Sequence, residues 1–279
     1  TMTNQIAIKC YTQPGQEVIC EQTSHVYIYE GGGIAFNSGC QVKPLIGERG
    51  RITAGQVESA VNPDDIHKPV SSLVCIENTA NRGGGSLYDA SEILLIRNAC
   101  DKNDLSLHLD GARLWNAMEA TNEGPEWYGK VFDSISICMS KGMGAPVGSV
   151  LIGAKDFITR ARRIRKVMGG GMRQAGYLAA AALYALENNR PLLKRDHIHA
   201  KRIAAALLEK PFIGKMLPVE TNIIIFEVKG NYTPASFSAF LKENNIHCIA
   251  ISPFEVRMVT HLDVTEPMVD SLVELIGRM

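Results

Sequence analysis

The sequence predicts an α/β protein: a large part built on a mostly parallel sheet between helices, then a small C-terminal α+β part. Three observations carry this. Short apolar or alternating runs recur between residues 16 and 153, most of them separated by helical stretches, as a parallel sheet with crossover helices requires. A helix that ends near Asn189-Arg190-Pro191 closes this pattern, and beyond it the order becomes helix, strand, helix, strand, helix. Finally, 279 residues with 46% hydrophobic and 21% charged content suffice for a sizeable core, divided here at 1–190 and 191–279.

The elements follow in order. Residues 1–10 read as a helix, 16–20 as a strand, and 24–30 carry His25 into the turn of Gly31, Gly32 and Gly33. A short extended piece at 42–45 precedes an amphipathic helix at 53–61, with Thr53 as its N-cap. Residues 72–77 form a buried strand and 89–102 a helix. Strands at 105–110 and 134–140 flank a short helix at 126–130, and 149–153 returns as a hairpin partner of the second. A basic helix at 155–167, a break at 169–171 and an Ala-rich helix at 172–188 complete the large part. The small part is read as helix 197–209, strand 221–228, helix 234–244, strand 256–259 and helix 267–278.

Composition removes several classes of function. With 29 basic and 29 acidic residues the formal charge is zero, so no global field draws the protein to nucleic acid or to an anionic membrane. One basic helix in a neutral protein is more often a solvated face or a subunit contact. No apolar run approaches the roughly 20 residues of a membrane helix, and the first residues lack the pattern of a signal peptide. The seven cysteines show no CxxC spacing, which suits reduced thiols in a cytoplasmic protein and no metal site.

Chemistry concentrates at two strand ends. Asp110 and Lys141 each close a short strand and are each followed by glycine, and ligands of open α/β sheets bind in the crevice at those carboxyl ends. Either residue alone has an ordinary explanation, a turn cap for Asp110 and a solvated surface charge for Lys141. The setting of Lys141 argues otherwise, because no other charged residue occurs from there to Gly153. Such surroundings lower the pKa of an amine that must attack a carbonyl. Paired across the crevice, the two suggest pyridoxal 5'-phosphate (PLP). The lysine would hold its aldehyde as a Schiff base, and the carboxylate would keep its ring nitrogen protonated.

The blocks around these residues resemble low-specificity L-threonine aldolases. They are His108-Leu109-Asp110-Gly111-Ala112-Arg113 and Ser140-Lys141-Gly142-Met143-Gly144-Ala145-Pro146. Blocks at 20–25, 77–84, 169–176 and 256–261 extend the likeness in family order over essentially the whole chain. The resemblance implies a PLP-dependent fold of type I, with a seven-stranded type of sheet in the large domain. It also implies a lyase that cleaves L-threonine or L-allo-threonine to glycine and acetaldehyde, in threonine breakdown and glycine formation.

By the same resemblance, Lys141, Asp110 and His25 are the catalytic and cofactor residues, with His25 over the ring and assisting the proton of the substrate hydroxyl. Thr1, Arg113, Ser140, Lys166 and Arg173 join the cofactor site, the two last serving the phosphate of a neighbouring subunit in a homodimer or homotetramer. Arg113 and Arg257 grip the substrate carboxylate, a task suited to a planar guanidinium fork. Ala80 stands where relatives commonly carry histidine, so the preference at the β-carbon is open. Relatives also carry on the order of sixty residues ahead of the position of Thr1. The present residues are therefore expected to be N-terminally incomplete and to hold PLP weakly by themselves.

Competing readings are a tryptophanase-like β-eliminating lyase, which shares the fold, Asp and Lys, and an inactive fragment. A dinucleotide site at 142–148 fails on context, since a lysine precedes its glycines and a strand follows them.

Overall fold

The computed structural model describes residues 1–121 and 123–279. The chain begins with helix α1 (Met2–Tyr11) and strand β1 (Glu17–Glu21), then short helices α2 (His25–Ile28) and α3 (Gly33–Ser38) and strand β2 (Gln41–Leu45). Helix α4 (Ala54–Ala60) starts at Thr53, which forms a capping box with Gln56. Strand β3 (Ser71–Glu77), helix α5 (Ala90–Lys102) and strand β4 (Ser106–Gly111) lead to helices α6 (Leu114–Ala120) and α7 (Pro125–Val131). The hairpin of β5 (Ser134–Cys138) and β6 (Ser149–Gly153) precedes helices α8 (Lys155–Val167), α9 (Gly176–Asn188) and α10 (Leu193–Leu208). The C-terminal elements are β7 (Ile213–Met216), β8 (Ile223–Val228), α11 (Pro234–Glu243), β9 (Ile249–Ala250), β10 (Glu255–Val259) and α12 (Glu266–Arg278).

The large sheet has the order β2-β1-β3-β4-β5-β6. Every pairing is parallel except β5 with β6. The described residues thus form six strands where the sequence led us to expect a seven-stranded type. Both edge strands, β2 and β6, have one neighbour among the described residues, and Val150 and Ile152 on β6 are exposed.

Side chains alternate across the buried strands and sort into two cores. On β3, Val74 and Ile76 pack with Leu107, Leu109, Ile93 and Ile96, whereas Leu73 and Cys75 pack with Ile8 and Val18. Ile6, Ala7 and Cys10 of α1 meet Phe157 and Ala161 of α8. The sheet therefore lies between α1 and α8 on one face and α4 to α7 on the other. Each such apolar side chain removed from water contributes roughly 1.5–3 kcal/mol.

A four-stranded antiparallel sheet, β7-β8-β10-β9, organises the C-terminal part. Its core holds Phe226, Phe237, Leu207, Val256 and Ile276. Helix α10 joins the two parts, with Leu193 in the first core and Ala200 and Ile203 in the second. That helix begins four residues ahead of the expected 197, while α9 begins at Gly176, after a turn in which Gln174 has φ 51°. Short α3, α6, β7 and β9 were not foreseen, since two to seven residues hold too little periodicity to identify an element.

Loop residues 78–89, between β3 and α5, are fastened to both parts. The Thr221 hydroxyl donates to the Gly85 carbonyl at 3.0 Å, and Leu87 N–H donates to Glu220 Oε2 at 2.9 Å. Arg49 pairs with Glu220 and donates to the Gly83 carbonyl. A Cβ on Gly83 would fall 1.9 Å from the Arg49 carbonyl oxygen, closer than any side chain tolerates. Gly83→Ala is accordingly expected to cost about 1–3 kcal/mol of stability in urea unfolding, as overpacked sites do. An unchanged midpoint would contradict this close approach.

Candidate active site

The carboxyl ends of β3, β4 and β5 meet in one crevice, and the parallel register sets Glu77 beside Asp110 and Asp110 beside Ser136. Asp110 is buried. One oxygen accepts from the Asn4 amide at 2.9 Å and the other from Ala112 N–H at 3.1 Å. Burial, followed by the negative charge of Glu30, raises its pKa above the ordinary aspartate value, while Lys141 and His25 pull the other way.

The same Asn4 amide nitrogen donates to Glu30 Oε1 at 2.9 Å, and the Gln5 amide donates to Glu30 Oε2 at 2.6 Å. Asn4 Oδ1 lies 3.1 Å from His108 Nε2, and His108 Nδ1 lies 2.8 Å from the Ser134 hydroxyl. His108 is fully buried, and that burial pushes its pKa down to about 4. It is therefore neutral, and since an amide oxygen only accepts, its proton resides on Nε2.

His25 opens α2, with Nδ1 3.1 Å from Glu30 Oε1 and its backbone N–H donating to Glu77 Oε2 at 2.8 Å. The Glu30 hydrogen bond raises the imidazole pKa against the opposing effect of burial. Burial alone would lift the Glu30 carboxyl, yet donors from His25, Gln5 and Asn4 hold it below its ordinary value. Among the described residues the other ring nitrogen of His25 has no hydrogen-bond partner, which leaves it for a ligand.

Lys141 follows β5 in a hairpin loop. Met139 N–H donates to the Gly148 carbonyl, Ala145 N–H to Met139 and Gly144 N–H to Lys141, at 2.9 to 3.0 Å. Met139, Met143 and Ala145 anchor this loop in the core. Gly144 has φ 71°, and a Cβ there would lie 2.6 Å from Leu262 Cδ1, so the turn needs glycine. The Lys141 side chain is solvent-accessible because the crevice is open, although protein crowds it on most sides. That desolvation, followed by the positive charge of Arg113, lowers its pKa below the ordinary lysine value.

Arg113, just before α6, donates to Asn81 Oδ1 at 3.3 Å. Asn81 N–H in turn donates to Glu77 Oε1 at 2.8 Å, so Glu77 ties the start of α2 to the loop that holds Arg113. Burial and then Asp110 push the Glu77 carboxyl up to about 7, against its two N–H donors. Arg257 arrives from β10 with its Nε buried and unpartnered. Its pKa falls to about 10, through burial and then the charges of Arg113 and Arg82.

Asp110, His25, Lys141, Arg113 and Arg257 thus come together. Among the described residues no hydrogen bond or ion pair joins the remaining predicted residues to those five, although the Thr1 amine lies 3.5 Å from Glu30 Oε1. Ser140 is exposed, with its hydroxyl 3.3 Å from Cys138 Sγ. Thr1 is the N-cap of α1; its carbonyl accepts from Gln5 N–H, and its side chain makes no capping bond. Lys166 and Arg173 are exposed on either side of the 169–171 turn. Lys166 lies against Gly171, and a Cβ on Gly170 would lie 2.3 Å from Met2 Sδ. The turn therefore adjoins the start of α1 in the same chain.

Sequence reasoning missed Asn4, Glu30, Glu77, Asn81 and His108 as parts of the site. Glu77 and His108 stood within quoted blocks, and a charge or imidazole in an apolar strand was the available signal. His25, Glu30 and Asp110 offer donor atoms within 4.8 Å of one another, a spacing that a metal could use. The Asn4 N–H groups point at both carboxylates, however, and fill that space with positive hydrogens.

The family model for beta-eliminating lyases matches residues 1–231. The chain belongs to the beta-eliminating lyase family. The low specificity L-threonine aldolase of Escherichia coli (strain K12) is 38% identical, over 95% of this chain and 78% of that protein. A probable low-specificity L-threonine aldolase 2 of Arabidopsis thaliana is also 38% identical, over 95% of this chain and 77% of its own length. In three dimensions, the threonine aldolase of Leishmania major superposes with a TM-score of 0.87 at 24% identity, covering 99% of this chain and 81% of that one. Further solved neighbours, at 15% and 16% identity, are a PLP-dependent aminotransferase of Streptococcus suis and SPT with its PLP internal aldimine, so the fold is that of the PLP enzymes of type I.

The His25–Glu30 pair gives a test that needs no substrate. A carboxylate beside imidazole favours the protonated ring, so its removal lowers the histidine pKa. Glu30→Gln is expected to shift the His25 titration, followed by NMR of its ring protons, to lower pH. An unmoved titration would show that the pair does not set His25.

Proposed function

We propose that this protein is a PLP-dependent aldehyde-lyase that cleaves L-threonine and L-allo-threonine to glycine and acetaldehyde. The observation that carries the reading is the facing pair of a buried Asp110 and a desolvated Lys141 at adjacent strand ends, with two unpaired arginines beside them. The donor set fits the cofactor. Lys141 offers an amine of lowered pKa to its aldehyde, Asp110 a carboxylate to its ring nitrogen, and His25 a flat ring for its face. Thr1 at the start of α1, with Ser140, Lys166 and Arg173, would serve the phosphate, as helix N-termini and cations do; Arg113, beside Lys141, would join the cofactor site from there. Bound here, PLP supplies a ring that accepts the electron pair released when Cα–Cβ breaks.

The chain's own groups supply the rest. Arg113 and Arg257 pair with the substrate carboxylate and fix its orientation. His25 takes the proton of the β-hydroxyl on the nitrogen that Glu30 leaves unbonded, and this is general-base work suited to imidazole. Asp110 holds a proton at the ring nitrogen by its negative charge. Lys141 returns a proton to Cα once the aldehyde has left. Lys141→Ala is expected to abolish both acetaldehyde release from threonine and the absorbance of lysine-linked cofactor. Unchanged aldehyde release would sink the assignment.

A second copy of the chain is part of the same reading. Of the thirteen residues of α9 only Ala185 is buried, while Tyr177, Leu183 and Tyr184 are exposed. Exposed apolar helices of this kind mark subunit contacts. The protein then works as a homodimer or homotetramer in the cytoplasm, in amino-acid metabolism that consumes threonine and yields glycine. No helix of the described residues is long and apolar enough to cross a membrane. Residues 1–190 serve as the cofactor domain, and 191–279 bring Arg257 to it. Sedimentation is expected to show a dimer or larger, and Leu183→Asp to shift it toward monomer; an active wild-type monomer would overturn this.

A further inference from the structure

We propose that Arg82 recognises a second anionic group, so that the protein also takes β-hydroxy-α-amino acids bearing a carboxylate on the β-carbon. The inference rests on the reading above and extends its substrate class.

Arg82 directly follows Asn81, the residue pinned to Glu77 on one side and to Arg113 on the other. Its neighbour Gly83 is held by Arg49. The backbone on either side of Arg82 is thus fixed at the edge of the crevice. Asn81 accepts from Arg113, so Arg82 begins one residue from that contact, and its charge acts on Arg257 as that of Arg113 does.

Three other partly buried arginines have acidic partners, Arg49 with Glu220, Arg51 with Glu92 and Arg97 with Asp133, whereas Arg195 donates only to the Leu262 carbonyl. Among the described residues Arg82, Arg113 and Arg257 make no ion pair, and the Nε of Arg257 has no partner of any kind. Cations gathered without counter-charge repel one another and call for anions.

The α-carboxylate of an amino acid carries one negative charge, and two guanidinium forks already satisfy its two oxygens. The third cation is surplus for threonine. In the proposed reaction the amino group faces Lys141 and the carboxylate faces Arg113 and Arg257. Only the substituent on Cβ remains to meet Arg82. An anionic substituent there, as in a β-hydroxyaspartate, supplies the missing charge.

The reaction balances without a further reactant. Cα–Cβ breaks, the β-hydroxyl loses its proton, and Cβ leaves as the aldehyde carbon of a 2-oxo acid, glyoxylate. The bonding pair stays with Cα, which takes up a proton and becomes glycine. Carbon is neither oxidised nor reduced overall.

The test compares wild type with Arg82→Gln and Arg82→Lys on L-threonine and on L-β-hydroxyaspartate, following glycine, acetaldehyde and glyoxylate. Wild type is expected to release glyoxylate. Arg82→Gln is expected to lower kcat/KM for the dicarboxylic substrate, relative to threonine, by about tenfold or more, mainly through KM, as the loss of a charge-assisted contact does. Arg82→Lys restores part of that loss. A second arm is independent of turnover: succinate raises the thermal midpoint of wild type and does so less for Arg82→Gln. Equal losses on both substrates, or no glyoxylate from wild type, overturn the inference. Absence of threonine cleavage by wild type would instead refute the aldolase reading, and the succinate arm alone would then judge the anion site.

Discussion

Two buried carboxylates, Glu30 and Asp110, share one amide nitrogen, and much of the site depends on that bond pair. Two negative charges in a dry interior repel each other and lose hydration, so at least one would take up a proton without donors between them. Asn4 gives a hydrogen to each at 2.9 Å. Hydrogen bonds to a charged group contribute roughly 1.5–3 kcal/mol each. Its oxygen then needs a donor of its own, which neutral His108 provides from within β4. Replacing Asn4 by aspartate of similar shape would bring a third negative charge where two hydrogens are required. The arrangement also fixes α1 to the sheet, since Asn4 is a helix residue and Asp110 and His108 are strand residues.

From this anchor the charges of the crevice are graded. Glu30 is held ionised by donors, Asp110 is raised by burial, and Glu77, between two N–H groups, titrates near 7. Lys141, Arg113 and Arg257 bring positive charge to the same crevice, and the unpaired arginines attract an anion before any contact forms. The C-terminal part enters this field by one strand residue, Arg257. Glu220 and Thr221 hold the C-terminal part to loop 78–89.

The sequence made most strands, most helices and the two strand-end charges legible, because these depend on patterns within a few residues. Thr53 announced its own capping box, and Lys141 stood out by the absence of other charge around it. The polar network was not legible, for its members lie far apart along the chain: Asn4 and Asp110 are separated by 106 positions. Nothing local marks Asn4 as different from any helix asparagine. Position 80 behaves similarly. Ala80 is buried against Gly50, so a larger side chain there could not simply be added; the loop around Gly50 has its own backbone fitted to alanine. The starts of α9 and α10 were set by tertiary packing, which overrides local propensity at element ends.

The hairpin that carries Lys141 has a consequence for how fast the lysine can let go and return. Its loop is latched at Met139, Met143 and Ala145, and the Asn189 amide clasps the Met143 carbonyl from α9's end. The backbone has little freedom to yield. All travel must then occur in the four methylene groups of the side chain, whose torsions hop on the picosecond to nanosecond scale. A tether with a rigid post and a supple line recaptures its load far sooner than a turnover elapses. Departure of the amine therefore costs the protein no rearrangement of its fold.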